Sequence, residues 1–145
     1  MKEHIRILGI DDAPFTFEDE ITEIIGVLIR LPNYIEAVMK SKIDVDGWNS
    51  TNQICGLLQK SRYLENISMI FLDGIALGGF NVVDIDKLNE AVGIPVASIS
   101  RNEPDLESIE AALKKKFKDW RVRFDLMTRK EIETVETQHK PIFVQ

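Results

Sequence analysis

Cysteine is almost absent. Cys55 is the single one in 145 residues, so no internal disulfide can form and the chain reads as a protein of a reducing compartment, a cytoplasmic one. Histidine is as scarce, and His4 and His139 stand too far apart to offer metal-ligand spacing. No apolar run has the length of a membrane helix. The stretch Met1 to Asp12 is interrupted by Arg6 and closes on two acids, which suits neither a signal peptide nor a membrane anchor. A Walker loop and a dinucleotide fingerprint are both missing, because Gly74-Ile-Ala-Leu-Gly-Gly lacks the lysine and the register they need. Cations are outnumbered: 18 Lys and Arg face 24 Asp and Glu, a formal charge of -6. That excludes attachment to nucleic acid by charge alone, yet leaves room for a metal-dependent nuclease, whose clustered carboxylates recruit cations that reverse the local field. Repeats, low-complexity runs and linkers are also absent, and the length suits one domain, 1–145.

Hydrophobic residues make up 44% of the chain, enough to bury a core at this length. Residues 5–10 are short, apolar and branched, and Asp11, Asp12 and Pro14 end them, which predicts a strand running into a loop. Segments 24–31 and 34–45, joined through Pro32 and Asn33, predict a hairpin, the second arm alternating with its acids on one face. The period then changes to that of a helix at Ser50 and Thr51, with Ile54, Leu57 and Leu58 on one side and Cys55 as a core residue. Residues 67–72 form the strongest buried-strand signal and stop at Asp73-Gly74. A helix bearing Ile85, Leu88 and Val92 follows, then a strand over 94–99 with an early Pro95. Leu106, Ile109, Leu113 and Phe117 predict the clearest amphipathic helix. Val122–Met127 and 141–144 read as further short strands, and 129–138 as polar with little period. The sum is an α/β fold, a mixed five-stranded sheet with helices on both faces. The cations Lys114, Lys115, Lys116, Lys118, Arg121 and Arg123 read as a solvated helix end.

Two apolar strands each deliver an aspartate at the carboxyl end, Asp11 and Asp73, where ligands bind in α/β sheets. If the strands are neighbours, the carboxylates face each other and need a cation or a proton between them. Mg²⁺ or Mn²⁺ suits an oxygen-only site of this kind. Asp44 and Asp46 are candidates for a third carboxylate, although Asp46-Gly47 is also an ordinary turn pair.

Arg6-Ile-Leu-Gly-Ile-Asp-Asp-Ala-Pro-Phe15, Val45-Asp-Gly47, Leu72-Asp-Gly-Ile-Ala-Leu-Gly-Gly-Phe-Asn-Val-Val-Asp-Ile85 and Gly93-Ile-Pro-Val96 together resemble an archaeal family called endonuclease dU. The resemblance covers about residues 5–113. That family is similar to endonuclease V, which has a ribonuclease H-like fold and nicks DNA or RNA near deaminated bases using Mg²⁺. The resemblance implies that Asp11 and Asp73 are metal ligands, with Asp46 or Asp44 replacing a catalytic Glu that this chain lacks. It puts Tyr34 at a strand-separating wedge and Arg101 at the place of a site lysine, and it brings Gly74 to the substrate. Asn49 stands where the family often has an acid, and the chain ends before a further helical region that the family usually carries. The leading expectation is a metal-dependent endonuclease of the DNA-repair type, acting near deoxyuridine or inosine. A nucleic-acid-binding protein without catalysis is one rival; a nucleotide or flavin binder using the loop Gly74 to Gly79 as an anion site is another. Exposed sheet edges leave room for a homodimer.

Overall fold

The computed structural model describes residues 4–145. Strands β1 (Arg6–Asp12), β2 (Ile21–Arg30) and β3 (Tyr34–Asp44) form a meander, followed by helix α1 (Ser50–Gln59) and strand β4 (Met69–Asp73). A two-strand hairpin, β5 (Ala76–Leu77) and β6 (Asn81–Val82), leads into α2 (Ile85–Val92), β7 (Val96–Ser100), α3 (Leu106–Lys116), α4 (Trp120–Thr128), β8 (Glu133–Val135) and β9 (Ile142–Val144). The main sheet has seven strands in the order β3-β2-β1-β4-β7-β9-β8. Its β1–β4 and β4–β7 pairs are parallel and the rest antiparallel, so the sheet is mixed. No helix among the described residues is long and apolar enough to cross a membrane.

Five of these strands match the expected sheet, β9 matches the short strand read at 141–144, and β8 forms where 129–138 showed little period, which brings the sheet to seven. The segment read as a strand at Val122–Met127 is helical instead. Its apolar positions suit a helix face, because Trp120, Phe124 and Met127 recur at i, i+4 and i+7 and pack in one cluster. Packing on α3 and β6 completes that choice. Asp84 and Asp105 cap α2 and α3 by accepting from the N–H groups of Lys87 and Ser108, and Gly93 ends α2 in the left-handed region.

Period-two alternation decides what each strand buries. Leu8, Ile10, Ile24, Leu28, Ile70 and Leu72 lie on one face and join Ile54 and Leu58 of α1 and Leu88 of α2 in a single core. On the opposite face Gly9, Val27, Ile25 and Phe71 are only half-buried and line an open groove, none of whose walls is helical. Helices on both faces are therefore not what the described residues build: α1 and α2 cover one face, while α3 and α4 pack with each other and with β6, around Val82, Leu113 and Met127.

Adjacent residues of β2 test this asymmetry. Leu28→Ala, on the covered face, is expected to cost about 3 kcal/mol in unfolding free energy through lost transfer energy plus a cavity. Val27→Ala, on the groove face, is expected to cost less than about 1 kcal/mol. Urea denaturation of both variants checks the contrast, and equal losses would show that the groove face is covered in solution.

Candidate active site

The site begins with strand parity. Within β1, Ile7, Gly9 and Asp11 face the groove, whereas Leu8, Ile10 and Asp12 face the helices. The parallel pairing sets Gly9 against Phe71 and Ile10 against Leu72, so the next residues outward on the two strands include Asp11 and Asp73. Both line the groove, with Ala13 and Pro14 of the loop after β1 and Arg101 just beyond β7. The groove encloses about 630 Å³. Its floor is the apolar set Ile25, Val27, Phe71 and Ile99, and its charged groups gather at the carboxyl end of the strands.

The carboxyl group of Asp73 is held above its ordinary pKa, first by burial and then by the charge of Asp11, with Arg101 opposing both. Arg101 Nη2 stands 3.7 Å from Asp73 Oδ2 on a side chain that is otherwise exposed. Asp11 Oδ1 accepts from the Asp12 N–H at 2.8 Å. Two carboxylates gathered at the end of a groove, one of them raised in proton affinity by burial and by its neighbour, are a ready receptor for a cation. No three His, Cys, Asp or Glu side chains converge among the described residues. A hard ion there would take two protein carboxylates and complete its shell with water or phosphate oxygens, a donor set that fits Mg²⁺.

Asp46 does not join this pair. It lies in the turn after β3 at φ 56°, accepts from the Phe80 N–H at 2.9 Å, and is ion-paired with Lys116 from the end of α3. A side chain at position 79 would collide with its carboxylate, which is why Gly79, at φ +85°, stands there. Asp44 caps the same turn, its backbone N–H bonded to Asn49 Oδ1 and its carbonyl to Asn81 Nδ2. Asn49, at the position where an acid was expected, thus closes a polar knot with the buried Asn81, which also accepts from the Ser50 N–H.

Tyr34 is likewise remote. Register pairs it with Arg30 and Arg30 with Arg6, which places it at the opposite end of the sheet, about 16 Å along the strands from Asp11. Its ring carries the Arg30 guanidinium at 4.5 Å. The loop Gly74 to Gly79 is no anion cradle either. The Gly74 N–H is bonded to the carbonyls of Leu72 and Ile99, and the Gly78 N–H to Asp12 Oδ2 at 2.6 Å. Gly74 therefore bends the chain away after Asp73, at φ +87°, and has no amide left for a substrate.

Two residues escaped the sequence reading. Asp12 ties β1 to the hairpin through Gly78, and Arg123, taken for part of a solvated run, is 5% exposed. Its Nη1 donates to the carbonyls of Asp46, Gly47 and Phe80, its Nε to Asp119, and its guanidinium is stacked 4.0 Å from Phe117 and 4.5 Å from Trp48. Burial works against the Asp119 carboxylate, but bonds from Trp48 Nε1 and Arg123 outweigh it and hold its pKa low. The spacing Asp119 to Arg123 on a helix beside two aromatics was the available signal.

Known proteins resemble this chain in sequence and in fold. The family model of endonuclease dU matches residues 3–145. A UPF0215 protein of Methanothermobacter thermautotrophicus is 41% identical over the whole chain, which spans 72% of that relative. One from Methanosarcina barkeri is 40% identical, the chain again fully aligned and spanning 74% of it. Among solved structures, a protein from Archaeoglobus fulgidus superposes with a TM-score of 0.83 at 32% identity, covering 97% of this chain and 77% of its own. Endonuclease V of Ciona intestinalis, bound to a DNA containing inosine, superposes with a TM-score of 0.58 at 14% identity, covering 100% of this chain and 72% of its own. At that identity the likeness is one of fold.

Proposed function

The chain belongs to the endonuclease dU family, and on that premise we propose that it hydrolyses a phosphodiester bond in nucleic acid, DNA in the first instance, close to a deoxyuridine or inosine. The observation that carries the reading is the pair Asp11 and Asp73, brought together by parallel strands at the end of an open groove. The two side chains would hold Mg²⁺ or Mn²⁺, which when bound polarises a phosphoryl oxygen and eases ionisation of the attacking water. Asp11 and Asp73 set the position of that ion by being fixed at the ends of two hydrogen-bonded strands rather than on a loop. Arg101, exposed and beside Asp73, is suited to grip a phosphate oxygen with its planar fork. Asp46 serves this reading by shaping the turn that carries Phe80, and a third carboxylate on the ion is not part of it.

A deaminated base pairs weakly, so drawing it out of a duplex costs less than for its neighbours, which favours such substrates. The fold likeness to an endonuclease V bound to inosine-containing DNA supports the choice of lesion. Labelled single-stranded and duplex oligonucleotides carrying one deoxyuridine or one inosine test it. Nicking near the modified base with Mg²⁺ or Mn²⁺, lost with chelator, is the expected result. No nicking under any metal, with the protein folded, would sink the proposal and leave a nucleic-acid-binding protein without catalysis.

A further inference from the structure

The turn between β1 and β2 presents an aromatic ring to solvent without any packing need. Phe17 is 73% exposed, the most exposed large hydrophobic side chain among the described residues. It is nevertheless held in place. Phe15 meets its ring edge-to-face at 6.0 Å, and the Lys116 ammonium lies 4.2 Å from the ring centroid. The turn itself is ordered by the Thr16 N–H on Asp19 Oδ2 at 2.8 Å, the Asp19 N–H on the Thr16 carbonyl at 3.0 Å, and the Ala13 N–H on the Glu23 carbonyl at 2.8 Å. A fixed ring with solvent on it is a platform for another flat group.

Its position matters as much. Ala13 and Pro14 border the groove that ends at Asp11 and Asp73, and Phe17 is three residues on from Pro14, at most about 11 Å of chain. Charge then selects what approaches. Glu18, Asp19 and Glu20 follow Phe17 on the same turn and repel a phosphate chain, whereas the end of α3, the turn after it and the start of α4 carry the exposed Lys115, Lys118 and Arg121. The Lys116 that touches Phe17 joins the two sides, and its own charge is already matched by Asp46. The other candidate rings are taken: Trp48 bonds Asp119 and stacks on Arg123, and Tyr34 is at the far end of the sheet.

We infer that the Phe15–Phe17 turn is a base-stacking element, on which Phe17 receives an unpaired nucleobase next to the Asp11–Asp73 pair while the flanking phosphates run over Lys115, Lys118 and Arg121. The inference rests on the nuclease reading for its ligand class. Sequence-tolerant stacking of this kind accompanies a cationic track in single-strand binding.

Fluorescence anisotropy with a labelled single-stranded oligonucleotide bearing one deoxyuridine, under chelator so that nothing is cut, tests it on wild type, Phe17→Ala, Phe17→Trp and Tyr34→Ala. Loss of one stacked base predicts at least roughly fivefold weaker binding for Phe17→Ala, restored by Phe17→Trp, with Tyr34→Ala unchanged. All four are expected to melt alike, since neither ring is in the core. Wild-type affinity in Phe17→Ala would overturn the inference alone, because metal-dependent nicking by the wild type stands independently of it. A wild type that binds no oligonucleotide overturns this inference, and one that also fails to nick overturns the nuclease reading with it.

Discussion

Asp73→Asn is expected to lower metal-dependent cleavage by on the order of 10² to 10³, the usual cost of removing one group that stabilises charge in a transition state. Its effect on stability has the opposite sign. Burial and Asp11 raise the folded-state pKa of Asp73 above its unfolded value, so its ionisation weakens the metal-free fold. That penalty is complete above the folded-state pKa and is relieved as pH falls through it toward the unfolded value. The metal-free variant should therefore melt higher than wild type at neutral pH, and the advantage should vanish once the pH is below the ordinary carboxylate range. Mg²⁺ should raise the melting temperature of the wild type and not that of the variant, because only a folded state that binds the ion gains from it. A variant that cleaves like wild type, or that melts lower without metal at neutral pH, would remove Asp73 from the site. Asp11→Asn is expected to lower metal-dependent cleavage to a similar extent, since it removes the other proposed ligand of the ion.

Arg123→Ala is expected to destabilise the protein by about 3–5 kcal/mol, the range for breaking a buried charge network from one side. The reason is the number of groups it leaves behind. Three backbone carbonyls, of Asp46, Gly47 and Phe80, lose their donor, and Asp119 loses its Nε partner. The slot between Trp48 and Phe117 empties as well. Arg123→Lys keeps the charge but offers no planar fork for three carbonyls, so it should recover only part of the loss. Urea denaturation of the three proteins measures this, and a loss under about 1 kcal/mol for Arg123→Ala would show that the two turns hold without it. Because those turns carry Asp46 and Phe80 rather than the groove floor, the residual folded protein should still bind Mg²⁺ through Asp11 and Asp73.

What could be read along the chain follows from what is local. The apolar runs at 24–31 and 67–72, the alternation in 34–45 and the helical spacing through Leu113 each express the period or burial of one element, and the three-dimensional structure has all of them in place. The segment at Val122–Met127 misled because six residues contain too few periods to separate a strand from a helix, and only the packing of Trp120 and Phe124 near Leu113 decides it. Tyr34 was assigned by resemblance to a motif, although the meander itself implies its place: two antiparallel turns after Asp11 return the chain to the opposite end of the sheet.

The sequence by itself determined most of the longer elements, the alternation of 34–45, and the two aspartates that end apolar runs, because these depend on residue type and on periods of two or 3.6. Only the tertiary structure decided that Asp11 and Asp73 are neighbours, since they stand 62 positions apart and the parallel pairing of β1 with β4 is what cancels that distance. It also took Asp46 out of the site, by bringing Lys116 from α3 to its carboxylate, and turned Arg123 from a solvated cation into a buried clamp. Charges are the least legible residues in a sequence for this reason. Their role is set by the partner that desolvates or neutralises them, and here that partner comes from a distant element.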